Sequence, residues 1–167
     1  MGLAWCWQWP ELNVTLLVDT QTATMWRDQR QRWFQHERGG QLFADISKPE
    51  GIWLTASPPH PADVAGYRWL EYDASRCHAE VAEANQGGLR LIGYWHTHPQ
   101  RIPRLSPRDR VSFQKFADCH RDTLPNPIAV IVGTSDTHQG VRVWSIQPSG
   151  FTEASYEPPK YFPFALE

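Results

Sequence analysis

Short apolar and β-branched runs, separated by polar or Gly/Pro-containing breaks, recur along the chain and predict strands. Residues 13–18 form the first, and 41–46 and 51–57 follow; the last of these is stopped by Pro58-Pro59-His60-Pro61. Residues 67–72 suggest a further short strand. Residues 89–95 and 127–133 are apolar enough for fully buried strands, and 141–146 alternates across a turn at 137–140. Between them lie helix patterns: a polar stretch over 21–36, an amphipathic segment over 75–85 ended by Gly87-Gly88, and a third helix from Ser106. That third start carries Ser at the N-cap, Pro107 at the first helical position and Asp109 at the third, then Val111, Phe113, Phe116 and Ala117 at helical spacing. Strands interrupted by two or three helices predict an α+β (α/β-like) fold with a mixed sheet. One domain is expected over 1–167, with a core at about 11–148 and a C-terminal tail at 149–167.

Composition narrows this. At 167 residues the chain can bury a substantial core, and nine tryptophans and seven phenylalanines supply bulky apolar area. No run of about 20 apolar residues could span a membrane, and Met1–Cys6 lacks the basic start and apolar centre of a secretory signal. Cys6, Cys77 and Cys119 are odd in number and unpaired in spacing, so they read as reduced thiols, and a cytoplasmic setting is expected. Cys119-His120 reads as a buried thiol and a satisfied histidine rather than a metal pair. The net charge of −2 without a basic stripe argues against nucleic acid.

The chemistry concentrates at His96-Thr97-His98-Pro99, followed by Ser106-Pro107-Arg108-Asp109. At a strand end, residues i and i+2 share a face, so His96 and His98 would point together. A helix start placed beside that strand end would bring Asp109 to them. Two imidazoles and one carboxylate leave a zinc ion with a free position, which marks a catalytic site; a structural site closes with four ligands. Zinc held this way brings the pKa of water down towards about 7.

The pattern His96-x-His98-Pro99-x6-Ser106-x2-Asp109 resembles the signature of the JAMM (MPN+, JAB) zinc metalloproteases, and Glu37-Arg38-Gly39-Gly40-Gln41-Leu42 fits that family's upstream glutamate. The resemblance runs from Glu37 to about Val132. It implies an MPN/JAB-type domain with a cytidine-deaminase-like layered arrangement. It implies one catalytic Zn2+ on His96, His98 and Asp109, with Glu37 as general acid/base and Ser106 as oxyanion stabiliser. Taken alone, Glu37 could be a solvated residue before a Gly-Gly turn, and Glu71, Glu80 and Glu83 are its rivals.

The family implies cleavage of isopeptide or peptide bonds after a ubiquitin-like modifier's tail, or after a protein conjugated through its C-terminus. A Gly-Gly tail suits a narrow groove, because residues without Cβ let the backbone approach the metal. The chain is most similar to small stand-alone bacterial members, some from anti-phage cyclic-oligonucleotide signalling operons. Two other classes stay open: a non-catalytic MPN scaffold, and a DNA-associated protein of RadC type. For partners, Trp5, Trp7 and Trp9, the Pro158–Phe164 segment, and Arg101, Arg104, Arg108 and Arg110 are candidate surface features, with packed edge residues and solvated arginines as the plainer reading.

Overall fold

A computed structural model describes residues 2–48 and 50–159. Eleven strands and three helices follow the chain in this order: β1 (Leu3–Trp9), β2 (Val14–Asp19), α1 (Thr20–Asp28), β3 (Gly39–Asp45), β4 (Ile52–Ala56), β5 (Val64–Gly66), β6 (Trp69–Glu71), α2 (Ala74–Gln86), β7 (Arg90–Thr97), α3 (Pro107–Cys119), β8 (Ile128–Val132), β9 (Val141–Gln147), β10 (Gly150–Glu153) and β11 (Ser155–Glu157). Nine strands form one mixed sheet in the order β10-β9-β8-β7-β3-β4-β2-β1-β11; β5 and β6 make a separate hairpin. The expected mixed α/β architecture is therefore present.

The parallel pair β7–β8 decides where chemistry can sit. His96 is level with Ile131, and Thr97 with Val132, while α3 makes the crossover between the two strands. Such a crossover sets a strand's carboxyl end beside the start of the returning helix, the usual place for a ligand in parallel sheets. On the other side β3 runs antiparallel to β7, with Gly39 opposite His96.

The sheet's two edges meet. Residues 150–157 carry only Ala154 between β10 and β11; the first half pairs with β9 and the second with β1. Trp9 Nε1 donates to the Thr152 carbonyl at 2.9 Å across the join. A run expected to be tail thus curls the sheet round and covers both edges that open strands would expose. Inside lie Trp7, Trp9, Trp26, Trp95, Leu42 and Val130. Residues 160–164 of the Pro/aromatic segment fall outside the described residues.

Several expectations need correction. The helix over 21–36 ends at Asp28, because Arg30 turns in to pair with Asp136 and the Gln31 amide donates to the Gln35 and Tyr67 carbonyls; these long-range bonds outcompete weak helix propensity. The strand expected at 67–72 shrinks to β6. Val111 is exposed, so the buried stripe of α3 is Phe113 with Phe116 and Ala117 partly covered. Cys119 is exposed, not buried. The alternating tryptophans form β1, with Trp7 and Trp9 buried in the core.

A two-stranded hairpin is marginal on its own, so what holds β5–β6 matters. Asp63, just before β5, accepts from Arg76 Nε at 3.0 Å and Nη2 at 2.6 Å, and from the Asp73 amide at 2.9 Å. Both side chains are 5% exposed, and Arg76 Nη1 also reaches Glu80 at 2.7 Å. Removing one partner of a buried pair strands a charge. Arg76→Met should cost about 3–5 kcal/mol in chemical denaturation. Adding Asp63→Asn to that variant should recover a large part of the loss; no recovery would show that the pair is not what anchors the hairpin.

Candidate metal centre

His96 is the penultimate residue of β7 and His98 follows the strand, its amide donating to the Val132 carbonyl at 2.9 Å. The alternation of an extended chain turns both rings to one face: the Nε2 atoms lie 3.1 Å apart. Asp109 arrives from the first turn of α3. Ser106 and Asp109 form a reciprocal capping box, in which Ser106 Oγ accepts the Asp109 amide at 3.1 Å and Asp109 Oδ2 accepts the Ser106 amide at 2.6 Å. The cap and the site are therefore one device. Asp109 Oδ1 is 3.1 Å from His96 Nε2, and Oδ2 is 3.3 Å from His98 Nε2.

Glu37 comes from the run into β3. Its amide donates to the Gly66 carbonyl of the hairpin at 2.9 Å, and the Thr97 amide donates to the Arg38 carbonyl at 2.8 Å. The two glycines after it are strand, not turn. A Cβ on Gly39 would stand 2.3 Å from the Trp95 carbonyl oxygen and 2.6 Å from the Tyr72 hydroxyl, so only glycine lets β3 lie this close to β7. Glu37 is buried with Oε1 3.8 Å from His98 Nε2. The three ligating atoms of Glu37, His96 and His98 lie within 4.8 Å of one another.

All four side chains are thus brought together, with Ser106 joined to them through Asp109. Glu71 and Glu83 are exposed, and Glu80 is engaged by Arg76. Gln100, which the sequence did not single out, is among the groups that raise His98; its short range from the His-Thr-His-Pro run was the available signal.

The electrostatics divide the two acids. Burial drives the Glu37 carboxyl up to about 7, a rise helped by Asp109 and opposed by the nearby His98 and Arg108 charges. Burial would raise Asp109 too, but its bonds to His96, His98 and Ser106 hold it well below the usual carboxylate range. Burial lowers His96; at His98 the same penalty is outweighed by Asp109 and Glu37, which raise it. One acid is held ionised and the other is poised near neutrality.

The residues fit a zinc ion. Nitrogen and oxygen ligands at about 2.0–2.1 Å from a tetrahedral centre stand about 3.3 Å apart. The two histidine nitrogens at 3.1 Å fit that edge, and each has one oxygen of the Asp109 carboxylate beside it, Oδ1 at 3.1 Å from His96 and Oδ2 at 3.3 Å from His98. Glu37 at 3.8 Å stands further out. A cavity of about 320 Å³ opens beside the group, between the β5–β6 hairpin and α3; Glu37, His96, Asp109, Trp69, Tyr94 and Phe113 are among its walls. Arg108 lies over the Trp69 ring at 5.9 Å and joins hairpin to helix.

The family described as prokaryotic homologs of the JAB domain matches residues 20–147. A Pseudomonas aeruginosa protein named CD-NTase/cGAS isopeptidase is 44% identical over 101 residues, 58% of this chain. The match spans 63% of that relative's length. A solution structure of a Desulfitobacterium hafniense protein superposes with a TM-score of 0.57 at 18% identity, over 81% of this chain and 87% of the other, and shares the fold. No helix among the described residues is long and apolar enough to cross a membrane.

Proposed function

The chain belongs to the prokaryotic homologs of the JAB domain, and from that membership we propose that it is a zinc-dependent isopeptidase with His96, His98 and Asp109 as metal ligands. The observation that carries this reading is the convergence of two imidazole nitrogens 3.1 Å apart on the Asp109 carboxylate, 3.1 and 3.3 Å from its two oxygens, with a second, protonatable carboxyl just outside. Zinc bound there would supply Lewis acidity to a water and to the scissile carbonyl. Glu37 takes the proton of the attacking water on its carboxylate and hands it to the leaving amine; the burial that raises its carboxyl favours its carrying that proton between the two steps. Among the described residues Ser106 Oγ serves only as an acceptor of the Asp109 amide, so its hydroxyl proton can be given to the carbonyl oxygen as it becomes anionic. Such a donor is typically worth about 10²–10³ in rate.

The bond cut is the amide between one protein's C-terminal carboxyl and an amine of another, the class named for the Pseudomonas aeruginosa relative. The conjugated protein we infer is a CD-NTase-like nucleotidyltransferase or a ubiquitin-like modifier. Its tail enters by the cavity between hairpin and α3.

The test uses the purified protein and a fusion joining such a protein's C-terminus to a lysine-bearing or N-terminal amine partner. About one equivalent of zinc is expected, with cleavage that stops on treatment with a chelator and returns when zinc is restored. A protein that takes up no zinc, or cuts equally well after chelation, overturns the reading.

A further inference from the structure

The second cavity beside the site is the larger one, about 960 Å³, and none of the proposed catalytic steps uses it. It lies on the His98 side. Pro99 and Gln100 are in its wall, with Tyr67, Trp33, Arg30 and Arg32. Pro99 and Gln100 follow His98 directly in the chain, so this cavity adjoins the His98 end of the metal centre.

Its rim is unusual in two respects. Trp33 and Phe34 are 85% and 88% exposed, the two most exposed large apolar side chains among the described residues, with ring centroids 6.1 Å apart. Phe34 holds a left-handed backbone (φ +63°), a conformation that bulky residues adopt only at an energetic cost. Here it sets two adjacent aromatic rings into solvent, three residues before Glu37. Tyr67, 41% exposed, faces the same cavity.

The second respect is charge. In the wall, Asp28 and Asp136 are taken up by Arg27 and Arg30. Arg32 makes no ion pair among the described residues. Neither do Arg101 and Arg104 in the loop after Gln100, and all three are exposed. Arg101 and Arg104 belong to this loop because the Ser135 amide donates to the Arg101 carbonyl and the Arg104 amide to Gln100 Oε1. A chain of net charge −2 thus presents unbalanced positive charge around one opening. Exposed aromatics ringed by unpaired arginines are the composition of a binding hot spot for an acidic partner.

We propose that this cavity and the Trp33–Phe34 rim dock an acidic segment of the conjugated substrate that carries an aromatic or branched apolar anchor. The anchor packs on Trp33, Phe34 and Tyr67, and the acidic side chains face Arg32, Arg101 and Arg104. The identity of the occupant rests on the isopeptidase reading; the surface itself does not.

Two measurements separate the two. Binding is read with a fluorescent peptide of alternating glutamate and leucine against its glutamine counterpart. The glutamate peptide should bind at least tenfold tighter at low salt, and that preference should disappear in the Trp33→Ala/Phe34→Ala and Arg32→Glu/Arg101→Glu variants. Val111→Ser, on an exposed position of α3 away from this rim, should bind as the unaltered protein does. Equal binding of the two peptides overturns the proposal, as does displacement by a short duplex DNA at lower concentration than by the peptide, which would make the surface a nucleic-acid site. In the second measurement, on the conjugate, the same double variants should raise KM at least tenfold. Peptide binding with no cleavage by the unaltered protein would sink the isopeptidase reading alone, whereas cleavage with KM unmoved in the variants would sink this one.

Discussion

Glu37→Gln is expected to leave about one equivalent of zinc in place and to slow cleavage of the conjugate by at least about 10³-fold. Glutamine keeps the volume and the buried seat at 3.8 Å from His98, but it cannot accept the proton of the attacking water or return it to the amine. Loss of a positioned acid/base is typically worth about 10²–10⁴, and here one residue serves both directions of transfer. The exposed or ion-paired rivals make a built-in control: Glu83→Gln should cut at the normal rate. Zinc content decides the meaning of any loss. The ligating atoms of Glu37 also lie within 4.8 Å of both histidines, so a Glu37→Gln protein that loses its metal would make Glu37 a ligand. One that keeps zinc and cuts normally would remove it from the mechanism.

What was legible in the sequence is what is local. His96 and His98 alternate along one strand, and Ser106, Pro107 and Asp109 announce a helix start, so the fourteen consecutive residues 96–109 hold enough to place three of the four groups. Their meeting needed only the short crossover from β7 to α3. Glu37 is different: its place depends on β3 lying against β7, which Gly39 permits by having no Cβ to strike the Trp95 carbonyl. The Gly-Gly pair could be read as a turn as easily as a strand, and only the family pattern favoured the second. Two features could not be read. The closure of the sheet pairs Tyr156 with Trp7, and the hairpin is fixed by Asp63 on Arg76 from outside its own strands. Neither leaves a period in the sequence. The 21–36 stretch failed for the same reason: Arg30 finds its partner at Asp136, more than a hundred residues away.

Asp109→Ala should release the metal and weaken α3 at once, and the two effects can be told apart. The carboxylate closes the capping box and also faces both imidazoles. Ser106→Ala removes the other half of the same box. In metal-free protein both variants should lose about 1 kcal/mol, the usual worth of an N-cap. Adding zinc at roughly a thousand times its dissociation constant stabilises a protein that binds it by about 4 kcal/mol, and Ser106→Ala should recover that increment in full. Asp109→Ala should recover almost none, because two histidines alone leave the ion with too few ligands to hold it against water. Thermal unfolding with and without zinc, beside direct metal analysis after dialysis, measures both quantities. Were Asp109→Ala to gain as much from zinc as Ser106→Ala does, its carboxylate would be a helix cap and no more, and the third ligand would have to be Glu37.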